Sequence, residues 1–221
     1  MTLPKIAANG GSPEKQRRIR EASRAMFLSK GFENATIRDI ARIAEVAQGT
    51  LFLYAATKRE LLFMLYNDFL EQVTESCTAV PERQLSVVES LMQITLLHLQ
   101  RYTDEIAIAR LSLVSLNLYD NSREAERFAH IYGRTISLIE ALLQRAIEKG
   151  ELSQAFALRP IAGMIFTLLI ELFKSYVRSD PPDIAESLRE IHSQLSVIMR
   201  GLSATERAYL IQDPRLAEWL G

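Results

Sequence analysis

The sequence predicts an all-α protein, and three features of its 221 residues carry that prediction. Apolar residues recur at helical spacing over most of the chain. No convincing period-2 run bounded by Asn-Gly or Asp-Gly is present, and Gly and Pro fall mostly at the boundaries between periodic stretches. Hydrophobic residues at 48% and charged residues at 24% lie in the globular range, which excludes disordered, collagenous and disulfide-scaffold classes. A single cysteine, Cys77, can form neither an internal disulfide nor a thiolate metal site, so a cytoplasmic location and no metal or cofactor are expected. The amino terminus lacks the apolar core of a secretory signal. The longest apolar stretch, Ile161 to Phe173, contains Glu171 and falls short of the roughly 18 residues of a membrane span, so no membrane partner is expected.

The elements follow in order. Residues 1–12 read as a flexible arm. Ser12, Pro13 and Glu14 supply an N-cap, a proline at the first helical position and an acid in the first turn, opening a helix that Gly31 closes. Thr36 and Asp39 open a second, two-turn helix, a third should cover Gln48 to Tyr54, and Thr57 with Glu60 opens the next. Longer helices are expected over about 58–78, 83–102, 104–119, 122–149, 160–178 and 183–202, with a last short one within 209–220. Three helices thus occupy residues 13–60, an amino-terminal domain, and a bundle fills 61–221.

Charge divides at the same point. Residues 1–60 hold 11 Lys and Arg against 6 Asp and Glu, whereas 61–221 hold 15 against 21, hidden beneath a net charge of -1. A basic head on an acidic body suits a head that meets a polyanion, although a solvated charged helix gives the same imbalance. Lys15, Arg17, Arg18, Arg20 and Arg24 on the first helix, with Lys5 ahead of it, fit either reading.

The informative stretch is TIRDIARIAEVAQGTLFLYAATKREL, residues 36–61. Two short helices joined by a three-to-four-residue turn, with Ala41 small enough for close approach, match a helix-turn-helix. In the runs T-I-R-D-I-A, A-x-V, G-T-L-F-x-Y and T-K-x-E-L-L the stretch closely resembles the DNA-binding domain of the TetR/AcrR family of bacterial transcriptional regulators. The resemblance is specific over about residues 13–65 and implies a homodimer on a palindromic double-stranded DNA operator, most often as a repressor. A carboxy-terminal bundle, dimerising through 160–178 and 183–202, would respond to a small-molecule effector.

Physical chemistry assigns each position a part in that expectation. Thr36 would place its hydroxyl and the first amides of its helix toward a phosphate, with Arg38 adding a charge. Gln48, Gly49, Thr50, Phe52, Leu53 and Tyr54 lie on the reader helix, with Leu51 turned into the core. The Gln48 amide suits adenine N6 and N7, and Thr50 and Phe52 suit thymine methyls and sugars. Tyr54 and Lys58 resemble the family's phosphate contacts. Three positions depart from the family pattern. Glu45 stands at a usual turn glycine, Ala47 at a usual capping Ser or Thr, and Ala55 at a usual Phe. These leave a second reading open, a helical interaction module with a degenerate DNA-binding head.

Effector-pocket candidates combine apolar bulk with polar tips: Phe63, Tyr66, Met92, Thr95, His98 and Leu99 on earlier helices, then Tyr102, Leu111, Ser115, Asn117, Tyr132 and Phe166. Met and aromatics at helical spacing fit core packing equally. The helix from 160 is apolar almost all round, which calls either for a dimer interface or for burial within one chain. Glu171 within it would meet a cationic ligand or pair with a base across an interface. An enzyme is disfavoured: His98, His130 and His192 are scattered, and no phosphate-cradling glycine loop, HExxH or GxSxG occurs.

Overall fold

A computed structural model describes residues 12–82, 84–116, 122–153, 157–202 and 213–220, with Glu82 and Leu220 described by backbone alone. Among them every regular element is helical. The order is α1 (Pro13–Asn34), α2 (Ile37–Ile43), α3 (Gln48–Phe52), α4 (Lys58–Cys77), α5 (Val87–Asp104), α6 (Ile106–Ser115), α7 (Arg123–Glu148), α8 (Leu158–Arg178), α9 (Ile184–Leu202) and α10 (Pro214–Leu220), with a 3-10 turn at Val80–Glu82.

Local chemistry explains most of the boundaries. Gly31, at φ 75, interrupts α1 where the sequence places its end, and the chain runs on as a short turn to Asn34. Ser12 occupies the N-cap of α1, but its side chain makes no capping bond; Lys15 N donates to its carbonyl instead. Thr36 and Thr57 accept from the amides of Asp39 and Glu60 as expected. A capping box at Ser86 and Glu89, which the sequence reading passed over, starts α5 at residue 87 rather than 83. Ser122 caps α7 by accepting from Ala125 N.

Two apolar cores result, and α4 has a face in each. Leu61, Leu62, Met64 and Leu65 join Ile19, Met26, Phe27, Ile40 and Leu51 in the amino-terminal core, to which α6 contributes Ile108. Phe63, Tyr66, Phe69, Leu70, Val73 and Cys77 face the larger core with α5, α7, α8 and α9. A cut after residue 60 therefore separates the charge but not the packing. The first turns of α4 belong to the head, and movement of α4 in the body is felt there.

The helix α8 is less uniformly apolar than its sequence suggested. Ala162, Ile165, Phe166, Leu169, Leu172, Phe173, Tyr176 and Val177 are buried on one face, while Met164, Thr167, Glu171, Ser175 and Arg178 are exposed on the other. By length and hydropathy α8 alone among the described helices is long and apolar enough to cross a membrane, and it packs on α7 and α9 within the bundle.

Candidate nucleic-acid interface and effector cavity

The amino-terminal helices build a shallow head from very little chain. Leu51 is fully buried and anchors α3, so the positions one and two residues to either side are turned outward. Gln48 and Gly49 are exposed, as are Phe52 at 47% and Leu53 at 71%; at spacings of one and four residues they form one continuous face. Thr50 is half-buried beside it. Space around Gly49 is open, with nothing within 4 Å of where a Cβ would stand, so its lack of a side chain leaves a notch on that face.

The departures from the family pattern at the turn are visible in the backbone. Glu45 adopts φ 53, the left-handed region that favours glycine, and its carboxylate accepts a bond of 3.0 Å from Arg18 of α1. Ala47 caps α3 without any side-chain bond. Ala55 is buried at 3% in the amino-terminal core.

Four residues expected at phosphates are placed differently from one another. Arg38 is exposed and makes no ion pair among the described residues. The Thr36 hydroxyl is spent within its own helix, donating to Asp39 Oδ2 at 3.0 Å while accepting from Asp39 N, and this bond holds the Asp39 carboxyl below its usual pKa. An ionised carboxylate there occupies the helix end that was expected to face a phosphate. Lys58 is half-buried, and its Nζ donates to the carbonyls of Phe32 at 2.7 Å and Glu33 at 2.8 Å, 4.6 Å above the Phe32 ring. Unpaired carbonyls after the α1 kink draw the ammonium inward, which revises its expected phosphate contact to a tie between α1 and α4. The Tyr54 hydroxyl is buried and has no hydrogen-bond partner among the described residues, so it points into the head and not toward a surface phosphate.

In the bundle, aromatic side chains converge. Tyr66, Tyr102 and Tyr132, all expected pocket residues, line one enclosed space with Leu113, Ile170, Phe173 and Lys174. The hydroxyls of Tyr66 and Tyr102 lie 3.2 Å apart, and burial raises both phenol pKa values. Phe69 packs tilted against Tyr102 at 4.9 Å, Phe128 tilted against Tyr132 at 4.0 Å, and Phe166 meets Tyr132 edge-on at 4.8 Å. The free volume is about 20 Å³, room for a water molecule and not for an organic effector.

The remaining pocket candidates scatter. Met92, Thr95 and Leu99 are packed in the core with no exposure, Thr95 donating to Leu91 O. Phe63 is buried against Phe128 at 5.6 Å. Leu111 and Ser115 line a separate apolar cleft of about 610 Å³ between α1 and α6. Asn117 lies outside the described residues. His98 stacks on Phe173 at 4.9 Å and donates from Nδ1 to Ile94 O at 2.8 Å; burial drives its pKa down to about 4, so the ring is neutral. The Cys77 sulfur lies 3.8 Å from the same nitrogen, and burial pushes the thiol up to about 12, which leaves it unreactive. Glu171 is exposed on the outer face of α8, away from the aromatic cavity, and within the chain it pairs along its own helix with Lys174 at 3.5 Å and Arg178 at 3.2 Å. Sequence reading missed Phe173 and Lys174 because a helix apolar all round gives no periodic mark of which side meets the cavity.

Residues 19–65 match the family described as bacterial regulatory proteins, tetR family. The amino-terminal head thus carries the DNA-binding domain of that family. The helix-turn-helix of α2 and α3 lies inside the matched residues. The fatty acid metabolism regulator protein of Bacillus subtilis is 22% identical over 166 residues, 75% of this chain and 85% of that protein. Among solved structures, FadR from Bacillus subtilis in complex with stearoyl-CoA superposes with a TM-score of 0.64 at 21% identity, covering 85% of this chain and 99% of that one. Thermus thermophilus FadR, a TetR-family transcriptional repressor in complex with lauroyl-CoA, gives 0.63 at 22% identity, covering 81% and 92%. These likenesses establish that the tetR-family head and the helical body beneath it form one shared fold.

An ion-pair network ties the head to the body. Asp68 of α4 accepts from Arg20 of α1 at 2.6 Å and from Arg127 of α7 at 2.7 Å. Arg127 also reaches Glu71 at 2.6 Å and Glu124 at 3.3 Å, and Arg24 of α1 pairs with Glu105 before α6. Burial opposes the charge of Arg127, yet its carboxylate partners hold the guanidinium pKa above its ordinary value, and its hydrogen bond holds Glu71 below the carboxylate range. Phe128, the next residue after Arg127, packs on the cavity residue Tyr132, so the network and the cavity share α7.

Proposed function

We propose that the protein is a cytoplasmic repressor whose homodimer grips a palindromic operator and releases it when a small molecule enters the aromatic cavity. The exposed α3 face of Gln48, Gly49, Phe52 and Leu53, held out by the buried Leu51, carries this reading. That face enters the major groove with Gln48 on a base edge and Thr50 at its border, while Arg38 meets a phosphate. Thr36, Tyr54 and Lys58 act from behind, by fixing the helices that present the face. Residues 13–60 with the first turns of α4 form the head, and the rest forms the body.

The outer faces of α8 and α9, where Met164 is 61% and Val197 73% exposed, meet their copies in the dimer. Half-sites about 34 to 36 Å apart, or a multiple, are then met by both heads at once. The effector is apolar with a hydrogen-bonding group, in keeping with the tyrosine lining and with Lys174 at the cavity wall. The acyl-CoA ligands named for the two FadR structures make fatty acyl thioesters the first compounds to try. A cavity of about 20 Å³ must open to admit any of them, and a ligand that prefers the open state shifts α4 and α7, and with them the heads.

The test is selection of duplexes from a random pool by the full-length protein, followed by anisotropy titration of the enriched site with and without lauroyl- and stearoyl-CoA. An inverted repeat bound at least a thousandfold more tightly than random duplex is expected. A Gln48→Ala, Arg38→Ala variant should lose at least tenfold in affinity with an unchanged far-UV circular dichroism spectrum. Equal binding by the variant would remove α3 from the interface.

A further inference from the structure

We propose that the operator is read chiefly through thymine C5-methyl groups, by Phe52 and Leu53, so that the core of each half-site is A·T base pairs and not G·C. The inference rests on the reading of α3 as the helix that enters the groove. Residues 46–57, VAQGTLFLYAAT, run for twelve positions without a charged side chain. Guanine is most often selected by a bidentate Arg or Lys on O6 and N7, and cytosine by an acid on N4. Neither contact is available from this helix, and the nearest charges on either side are engaged elsewhere, Glu45 with Arg18 at 3.0 Å and Lys58 with the carbonyls of Phe32 and Glu33.

What the helix does offer matches the other base pair. Gln48 has the one exposed amide of α3, and an amide of that shape pairs with adenine N6 and N7. One turn on, Phe52 is 47% exposed, and Leu53 beyond it is 71% exposed, an unusual place for two large apolar side chains in a solvated head. The thymine methyl is the apolar group that the major groove presents. Between Gln48 and Leu53 the open notch at Gly49 lets a base edge approach the helix backbone. Exposed cations lie on the elements before and after α3 and not on α3 itself. Arg38 on α2 and Arg59 in the first turn of α4 are exposed and make no ion pair among the described residues. An apolar reading helix with unpaired cations on the elements before and after it fits base methyls flanked by phosphates.

The experiment replaces thymine by uracil, which removes the methyl and leaves base pairing intact. The full-length protein is used to enrich duplexes from a random pool, with and without a low-molecular-mass extract of the source cells. The enriched duplex is then titrated by anisotropy beside versions carrying dU at each half-site thymine, and at thymines outside the half-sites as a control. A buried methyl is worth about a fourfold change in affinity, so symmetric replacement in both half-sites should weaken binding about fifteenfold at the reading positions. The Phe52→Ala, Leu53→Ala variant should bind the dT and dU duplexes alike. An enriched inverted repeat that the wild-type protein binds equally with dT or dU, or whose core is G·C, overturns methyl readout and leaves the regulator reading standing. Enrichment of no sequence under either condition overturns both.

Discussion

His98 shows how a single buried side chain sets a pH limit on the whole fold. Its ring lies between α5 and Phe173 with its Nδ1 proton on Ile94 O, and burial lowers its pKa from 6.5 to about 4. Above pH 6.5 the imidazole is neutral whether the chain is folded or not, and it leaves stability untouched. As pH falls from 6.5 toward 4 the unfolded chain takes up a proton that the folded one refuses, so stability declines by roughly 3 kcal/mol across that window. Urea denaturation at pH 7.5 and 4.5 should show the loss, and a His98→Leu variant should show a smaller one. The residues of the turn carry a different cost. Glu45 in the left-handed region forgoes about 1 kcal/mol relative to glycine, which its exposed pair with Arg18 offsets in part. Both effects were only half legible in sequence. The glycine position at Glu45 was readable from the turn pattern, and the apolar run around His98 fits a hydrogen-bonded core histidine, but its stacking partner Phe173 lies on a distant helix that no local pattern names.

Helices α1, α4 and α7 meet at one carboxylate. Asp68 accepts from Arg20 and Arg127 together, and its side chain is 20% exposed, so both guanidinium groups face a partly dry site. Replacing Asp68 with Asn leaves two cations facing each other with a neutral amide between them. A loss of about 1 to 3 kcal/mol is expected in urea denaturation. Glu75→Gln, which breaks the exposed pair with Arg134, should change stability by less than about 1 kcal/mol. The same contrast locates the coupling of head and body, since the network spans the helices that line the cavity and the helix that carries the head. Element existence was readable from apolar periodicity and capping pairs such as Thr36 with Asp39 and Thr57 with Glu60. The partners of Asp68 were not, because they lie 48 and 59 residues away and charged side chains on helices pair with solvent as readily as with each other.

At the scale of the molecule, one chain offers a head with a single reading face and a body with an uncovered apolar strip. Met164 and Val197 stand out on α8 and α9, helices that pack against one another. If the strip is covered by a second copy, Met164→Lys with Val197→Lys should convert a dimer to a monomer in sedimentation equilibrium at micromolar concentration. Operator affinity should then fall by more than a hundredfold, because two linked heads bind as one ligand. A double variant that still sediments as a dimer would place the interface elsewhere.

The sequence by itself determined that the chain is helical, where most helices start, that a basic head precedes an acidic body, and that residues 36–61 form a helix-turn-helix. Those properties are local, written in capping pairs, periodicity and the spacing of a short motif. Tertiary structure alone decided which aromatic side chains share a cavity and that Lys58 ties α1 to α4. It also decided that α4 belongs to both cores. In each case the outcome depends on which faces of distant helices meet, and a helix carries in its sequence the face it will bury but not the partner it will bury it against.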